Sequence, residues 1–169
     1  MTVLVTRRLQ LKPISWGRQS ILAMIRWLND PDTMKFSEQR HKKHTFESQW
    51  NYLNSFNHER GRIREIHAGE HFIGTITAYI DKPNLVADVG ILIGEKNEWG
   101  KGYGSEAWQA FCDLLLVTEV RKIEAGCMSI NLGMISICEE YGMFEEGRRA
   151  DHFIVEGKPY DMVQYGRLQ

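Results

Sequence analysis

The chain has 169 residues, 43% hydrophobic and 25% charged, which suits one domain with its own core and leaves little room for a second. Lys plus Arg number 21 and Asp plus Glu 22, so the formal charge is −1 and nothing global drives the chain toward nucleic acid or an anionic membrane. Cys112, Cys127 and Cys138 lie far apart with no C-x-x-C, so neither a disulfide framework nor a cysteine zinc site is indicated. The opening residues, Met1 to Arg8, lack a basic-then-apolar signal pattern, and no apolar run approaches the ~20 residues that span a bilayer. The expectation is a soluble, cytoplasmic protein.

Leu9 and Leu11 flank Gln10 in alternation, a short strand stopped near Pro13. From Ser20 to Asn29, the spacing of Ile21, Leu22, Ile25 and Leu28 predicts a helix, ended by Asn29-Asp30-Pro31. Residues 35–44 are polar and basic and read as a loop. Thr45 is a plausible N-cap for a second helix carrying Phe46, Trp50 and Leu53 on one face, with Glu47 at its positive dipole end. Trp16, Trp27, Trp50 and Trp108 are read as core. Ile63–Ala68, His71–Ile80 and Leu85–Ile93 are rich in Ile, Val, Thr and Tyr and form an antiparallel meander of three strands. A glycine cluster, a helix over Ser105–Leu116, a strand over Lys122–Met128 and a helix over Met134–Tyr141 stopped by Gly142 follow. Two last strands, His152–Val155 and Asp161–Gly166, flank the turn Glu156-Gly157-Lys158-Pro159. The class is α/β (α+β), a mixed sheet with helices on its faces.

The segment from Gly94 to Ala107 carries the most chemistry. Gly100, Gly102 and Gly104 sit between a strand and a helix, where glycines bring backbone N–H groups close to a ligand. The helix start adds unpaired N–H groups and a positive dipole end, and Lys101 adds charge. This suits a diphosphate; the alternative is a plain surface turn. G-x-x-x-x-G-K-[ST] is absent. A dinucleotide G-x-G-x-x-G nearly fits from Gly100, with Glu124 near its acidic position, but Ser105 stands where the last glycine belongs and the chain upstream is not a βαβ unit. Nicotinamide dinucleotide binding stays as a weak alternative.

Trp99-Gly100-Lys101-Gly102-Tyr103-Gly104-Ser105-Glu106-Ala107 resembles the cofactor loop of the GNAT superfamily of acetyl-CoA-dependent N-acetyltransferases, most closely its RimJ/RimL-like branch. The likeness extends to Arg8–Pro13, Trp27–Pro31, Ile73-Gly74, Arg121–Ala125, Asn131 and Tyr141–Gly147. It implies a single GNAT domain over 1–169, with a mostly antiparallel sheet that opens as a V between two parallel central strands. Acetyl-CoA would lie in that V as cosubstrate. Ile91, Leu92 and Ile93 would pair with its pantetheine. N–H groups from Lys101 to Ser105 would hold its diphosphate, Trp99, Gly100, Gly102, Tyr103 and Gly104 being part of the same cofactor-binding loop, and Asn131 would bond the pantetheine arm. On the residues alone, Asn131 reads as a turn residue before a helix.

Attack of an amine on a thioester needs a neutral amine, hence a base, and a donor for the oxyanion, which the resemblance places at a strand N–H near Ile93. Glu124 is the first choice of base and Asp88 the second; each also reads as a structural or solvent-face carboxylate. The family's acid, a Tyr seven residues after the Asn, is replaced by Cys138, which is either a donor or a buried apolar residue. Met134 also stands where a small residue is common. His41 and His44 make no complete metal set, so no metal is expected. Arg40, Lys42, Lys43 and His44 are the residues that would contact an anionic acceptor, such as a phosphate-bearing amino sugar, against the alternative of a solvated loop. The acceptor is a small amine or a protein N-terminus. A different class, a catalytically weak acyl-CoA-binding module, is kept open by the missing Tyr. A homodimer through the last strands or the edge helix is compatible with the sequence.

Overall fold

The computed structural model describes residues 2–56 and 61–169; Met1, which opens the stretch read for a signal pattern, lies outside them. Eight strands among the described residues form one sheet: β1 (Leu4–Val5), β2 (Leu9–Pro13), β3 (Gly61–Ala68), β4 (His71–Asp81), β5 (Val86–Ile93), β6 (Lys122–Met128), β7 (Phe144–Val155) and β8 (Lys158–Leu168). Their order across the sheet is β1-β2-β3-β4-β5-β6-β8-β7. Every neighbouring pair is antiparallel except β5 and β6, which run parallel through Val86↔Lys122, Ala87↔Ile123 and Asp88↔Glu124.

Helices α3 (Tyr103–Thr118) and α4 (Leu132–Glu140) cover one face of the sheet. Trp108, Phe111 and Leu115 of α3 pack there on Ile76, Val89 and Ile123. Helices α1 (Arg18–Leu28) and α2 (Phe46–Ser55) cover part of the other face, where Ile21, Met24, Trp27 and Leu53 meet Ile63, Phe72 and Leu92. The alternation of Val89, Ile91 and Ile93 against Leu92 along β5 sends its side chains into both layers, as the strand period requires.

Local chemistry sets the element ends. Thr45 and Ser48 form a reciprocal capping box at the start of α2. Gly142, at φ 76°, closes α4 in a Schellman turn: its N–H reaches Glu139 O at 2.9 Å and the next N–H reaches Cys138 O at 2.9 Å. No described helix is long and apolar enough to cross a membrane.

Several expectations are corrected. Trp16 and Trp50 are not core: they are 43% and 40% exposed and meet edge-on at 5.4 Å, while Trp27 and Trp108 are buried. The buried face of α1 is Ile21, Met24 and Trp27, with Leu22 outward. The loop at 35–44 contains a 3-10 turn, Glu38–His41. The last two strands form a long hairpin around a two-residue turn, Glu156-Gly157, both at positive φ, so Lys158 and Pro159 belong to β8. Most of β7 is exposed, and its stretch before His152, which includes Glu145, Glu146, Arg148, Arg149 and Asp151, lacks the alternating apolar residues that would signal a strand.

Candidate functional site

After Asp88 and Glu124 the parallel pair stops and the two strands separate. One edge of β5 beyond Val89 then faces no strand, although its other edge stays paired to β4 as far as Gly74↔Ile93. A cavity of about 1250 Å³ fills the gap, lined by Ile91, Leu92 and Ile93 on one side and by Gly126, Cys127 and Met128 on the other. The unpaired β5 edge offers backbone donors and acceptors to an extended amide-bearing ligand, the chemistry of an added strand.

The glycine loop closes one end. Gly100 and Gly102 have φ of 73° and 78°, and Gly102 is the left-handed N-cap of α3, with no side-chain cap. None of the backbone amides from Gly100 to Ser105 donates to a protein group among the described residues. These amides and the helix dipole form a concave run of donors that can hold an anion. Side chains hold the loop rather than fill it. The Trp99 indole N–H donates to Ile93 O at 2.7 Å. Arg8 donates to Glu106 at 2.6 Å and to Lys101 O at 2.7 Å, and stacks on the Tyr103 ring at 4.8 Å. Lys101 pairs with Glu98 at 2.8 Å. Ser105 donates to Glu140, and this bond, with one from Ser136, lowers the Glu140 carboxyl below its ordinary range. Gly94 touches the Trp27 ring so closely that a Cβ there would lie 1.9 Å from it, which fixes the end of β5 on α1.

Asn131 caps α4 by accepting from the Met134 N–H at 3.2 Å, and it also lines the cavity. Its amide nitrogen donates to no protein group among the described residues. The turn reading and the ligand reading are therefore compatible.

Asp88 and Glu124 face each other at the last register pair of β5 and β6. They line a smaller pocket of about 600 Å³ that shares Tyr79 with the large cavity. Burial, and then the charge of Glu124, raise the Asp88 carboxyl to about 6. Tyr79 stands opposite Asp88 on β4, and its hydroxyl donates to that of Tyr52 at 3.3 Å. The next positions on this face, roughly 7 Å further along each strand, are Gly90 and Gly126, which carry no side chain and line the large cavity.

Cys138 is 0% exposed, belongs to the main core and does not line the cavity. Burial pushes its thiol up to about 12, with smaller contributions from Cys127 and Glu139. It packs rather than donates.

The segment from Asp30 to His44 straps the other end. Asp30 and Asp32 bind Lys96 at 2.9 and 2.6 Å, and the Lys96 bond, then the Thr33 N–H, hold Asp30 down to about 2. Lys35 pairs with Glu156 at 3.6 Å, and Arg40 donates to Ile154 O at 3.0 Å. Asn29 brackets the backbone of His44 with two bonds. Lys42, Lys43 and His44 line the cavity; Arg40 does not, since its guanidinium is engaged by Ser37 O, Ile154 O and Glu38. The His44 ring sits 3.3 Å from Gln39 O, and His41 lies 3.9 Å from Glu38.

Sequence reasoning missed Arg8, Tyr52 and Tyr79, whose roles depend on contacts between distant elements. Gly90 and Gly126 did leave a signal, as glycines inside strands that are otherwise well formed.

Comparison with known proteins agrees with this geometry. The family profile described as "Acetyltransferase (GNAT) domain" matches residues 8–144. An uncharacterized N-acetyltransferase p20 from Bacillus licheniformis is 30% identical over 91 residues, covering 53% of this chain and 51% of that protein. The chain thus matches about half the length of that relative. Among solved structures, a RimL ribosomal L7/L12 alpha-N-protein acetyltransferase in complex with coenzyme A superposes with a TM-score of 0.85 at 15% identity, covering 99% of this chain and 98% of that one. A spermidine N-acetyltransferase from Vibrio cholerae, solved with CoA and spermine, gives 0.84 at 19% identity and 97% coverage of both chains. The microcin C7 self-immunity acetyltransferase MccE, solved with acetyl-CoA and AMP, gives 0.81 at 17% identity, covering 97% of this chain and 94% of that one.

Proposed function

The chain belongs to the GNAT acetyltransferase family, and from that premise we propose that it moves the acetyl group of acetyl-CoA to a primary amine bound beside it. One observation carries the reading: a run of unpaired amides from Gly100 to Ser105 and an unpaired edge of β5 open onto the same cavity. Together they fit a ligand with a diphosphate at one end and an amide-bearing arm at the other. Acetyl-CoA supplies the thioester when bound.

The chain's own residues do the rest. The loop amides take the diphosphate, and the edge of β5 at Ile91–Ile93 aligns the arm. The Asn131 amide nitrogen donates to the same arm. An acceptor amine arrives protonated at neutral pH, so a base must remove a proton first. Asp88, with Glu124 facing it across the β5–β6 register, takes that proton through water across the bare Gly90 and Gly126 row. A carboxyl poised near 6 is mostly ionised at neutral pH yet still basic enough to accept a proton. A thiolate leaving group, with an ordinary pKa of about 8.5, departs without an obligatory acid, which makes a packed Cys138 compatible with turnover.

The test is free-thiol release from acetyl-CoA with a panel of amines, alongside calorimetry with CoA. Binding heat with amine-dependent thiol release supports the transferase. Binding heat without release for any amine supports the acyl-CoA-binding module instead. No heat at millimolar CoA overturns both.

A further inference from the structure

The strap side of the cavity carries two lysines that no carboxylate among the described residues engages. Four charged residues of the strap line it: Asp32, Glu38, Lys42 and Lys43. Asp32 pairs at 2.6 Å with Lys96, which it shares with Asp30 at 2.9 Å, and Glu38 pairs with Arg40 at 2.8 Å. Lys42 and Lys43 have no carboxylate partner among the described residues, and both are exposed. Lys42 and Lys43 are thus the two cations of this lip that no described carboxylate engages.

Deeper in the same half, Gln49 is only 3% exposed. Its Nε2 donates to Met24 Sδ at 3.2 Å, and its amide oxygen meets no protein donor among the described residues. Gln49 lines the cavity, so that oxygen is available to an N–H group. It lies one helical turn inside α2, whereas the two lysines precede the Thr45 cap. The site is thus polarised, with a hydrogen-bond acceptor inside and cations at the mouth.

The strap also limits access. It is tied to Lys96 after β5 and to Ile154 and Glu156 at the tip of the β7–β8 hairpin, and so bridges the opening of the V. A cavity of about 1250 Å³ that must also take the acetyl-bearing arm leaves a volume suited to a small molecule.

We infer that the acceptor is a small primary amine carrying a phosphate or similar anionic group, its amine directed to Gln49 and its anion held by Lys42 and Lys43. This rests on the transferase reading and narrows it. Lysine ammonium groups bind phosphate as point charges through charge-assisted hydrogen bonds, so the phosphate should dominate selection.

The experiment compares acceptors that differ only in the anion: glucosamine 6-phosphate with glucosamine, and phosphoethanolamine with ethanolamine. Spermidine serves as a cationic control. We expect kcat/KM to favour the phosphate-bearing member of a pair by roughly tenfold or more, and the Lys42→Ala/Lys43→Ala double variant to bring that ratio close to one. CoA binding heat should not change. Equal rates within both pairs, a preference for spermidine, or an unchanged ratio in the double variant overturns the inference. So does a loss of CoA affinity in that variant, which would assign the lysines to the cofactor. If no amine releases thiol, calorimetry of glucosamine 6-phosphate and of phosphoethanolamine with the CoA complex separates the two ideas. Lysine-dependent binding of either upholds the anionic site and moves the failure to the transfer step; no binding of either overturns the site.

Discussion

The two ends of the cavity are built from different materials. At the glycine loop the groups left open to a ligand are backbone amides, and side chains such as Arg8, Trp99 and Glu106 brace the loop. At the strap and the first turn of α2 the cavity-facing groups are side chains, Lys42, Lys43, His44 and Gln49, while ion pairs at Asp30 and Asp32 and hydrogen bonds with Asn29 anchor the strap. A backbone cradle depends on a few glycines and on one helix start, so it tolerates little change. A side-chain wall can be rewritten residue by residue while the strap keeps its anchors. On the proposed function, the glycine-loop end is the constant half of the reaction and the strap end the adjustable half.

The largest effect should come from the carboxylate pair in the smaller pocket that shares Tyr79 with this cavity. Asp88→Asn should lower kcat/KM by roughly 100-fold or more with CoA affinity retained. In the unaltered protein kcat/KM should rise with pH through about 6, and this limb should vanish in the variant. Folding supplies an independent check with a definite sign. Asp88 holds its proton more tightly folded than unfolded, so stability should fall as pH rises from about 4 through about 6. Asp88→Asn should flatten that slope in denaturant titrations; an unchanged slope would remove Asp88 from the account.

Next in size is Gly102→Val. A side chain at φ 78° is strained, and its Cβ would lie 3.3 Å from the Arg8 guanidinium. CoA affinity should drop about tenfold or more by calorimetry, along with a loss of roughly 1–2 kcal/mol in stability. Gly90→Ala sharpens the contrast, because the nearest atom to its Cβ, Thr77 Oγ1, is at an ordinary 3.4 Å. Its melting temperature should hold while kcat/KM falls severalfold, since the new methyl intrudes on the floor beside the carboxylates. The smallest effect on turnover belongs to Cys138→Ala: kcat should stay within about twofold, and the cost should appear as roughly 1 kcal/mol of stability from the emptied core site. A hundredfold loss of kcat would return Cys138 to the chemistry.

The sequence exposed the constant half better than the adjustable one. The loop glycines, the Thr45 cap and the Gly142 stop each impose a local backbone geometry, and local geometry is written in neighbouring residues. The pairing of Asp88 with Glu124 was not written that way, since it depends on where two strands 36 positions apart stop running together. The engagement of Arg40 by Ile154, across 114 positions, was likewise beyond any local pattern. The exposed Trp16 and Trp50 show the limit from another side: periodicity marks an amphipathic face but does not say what, if anything, will cover it.

Only three register pairs stitch β5 to β6, and they are the seam between the five strands on one side and the three on the other. Beyond that seam the ladder lacks its rungs. A guest whose amides bond to β5 replaces some of them, so occupancy should knit the two halves together, and heating or amide exchange should find the loaded protein markedly harder to pull apart at that line than the empty one.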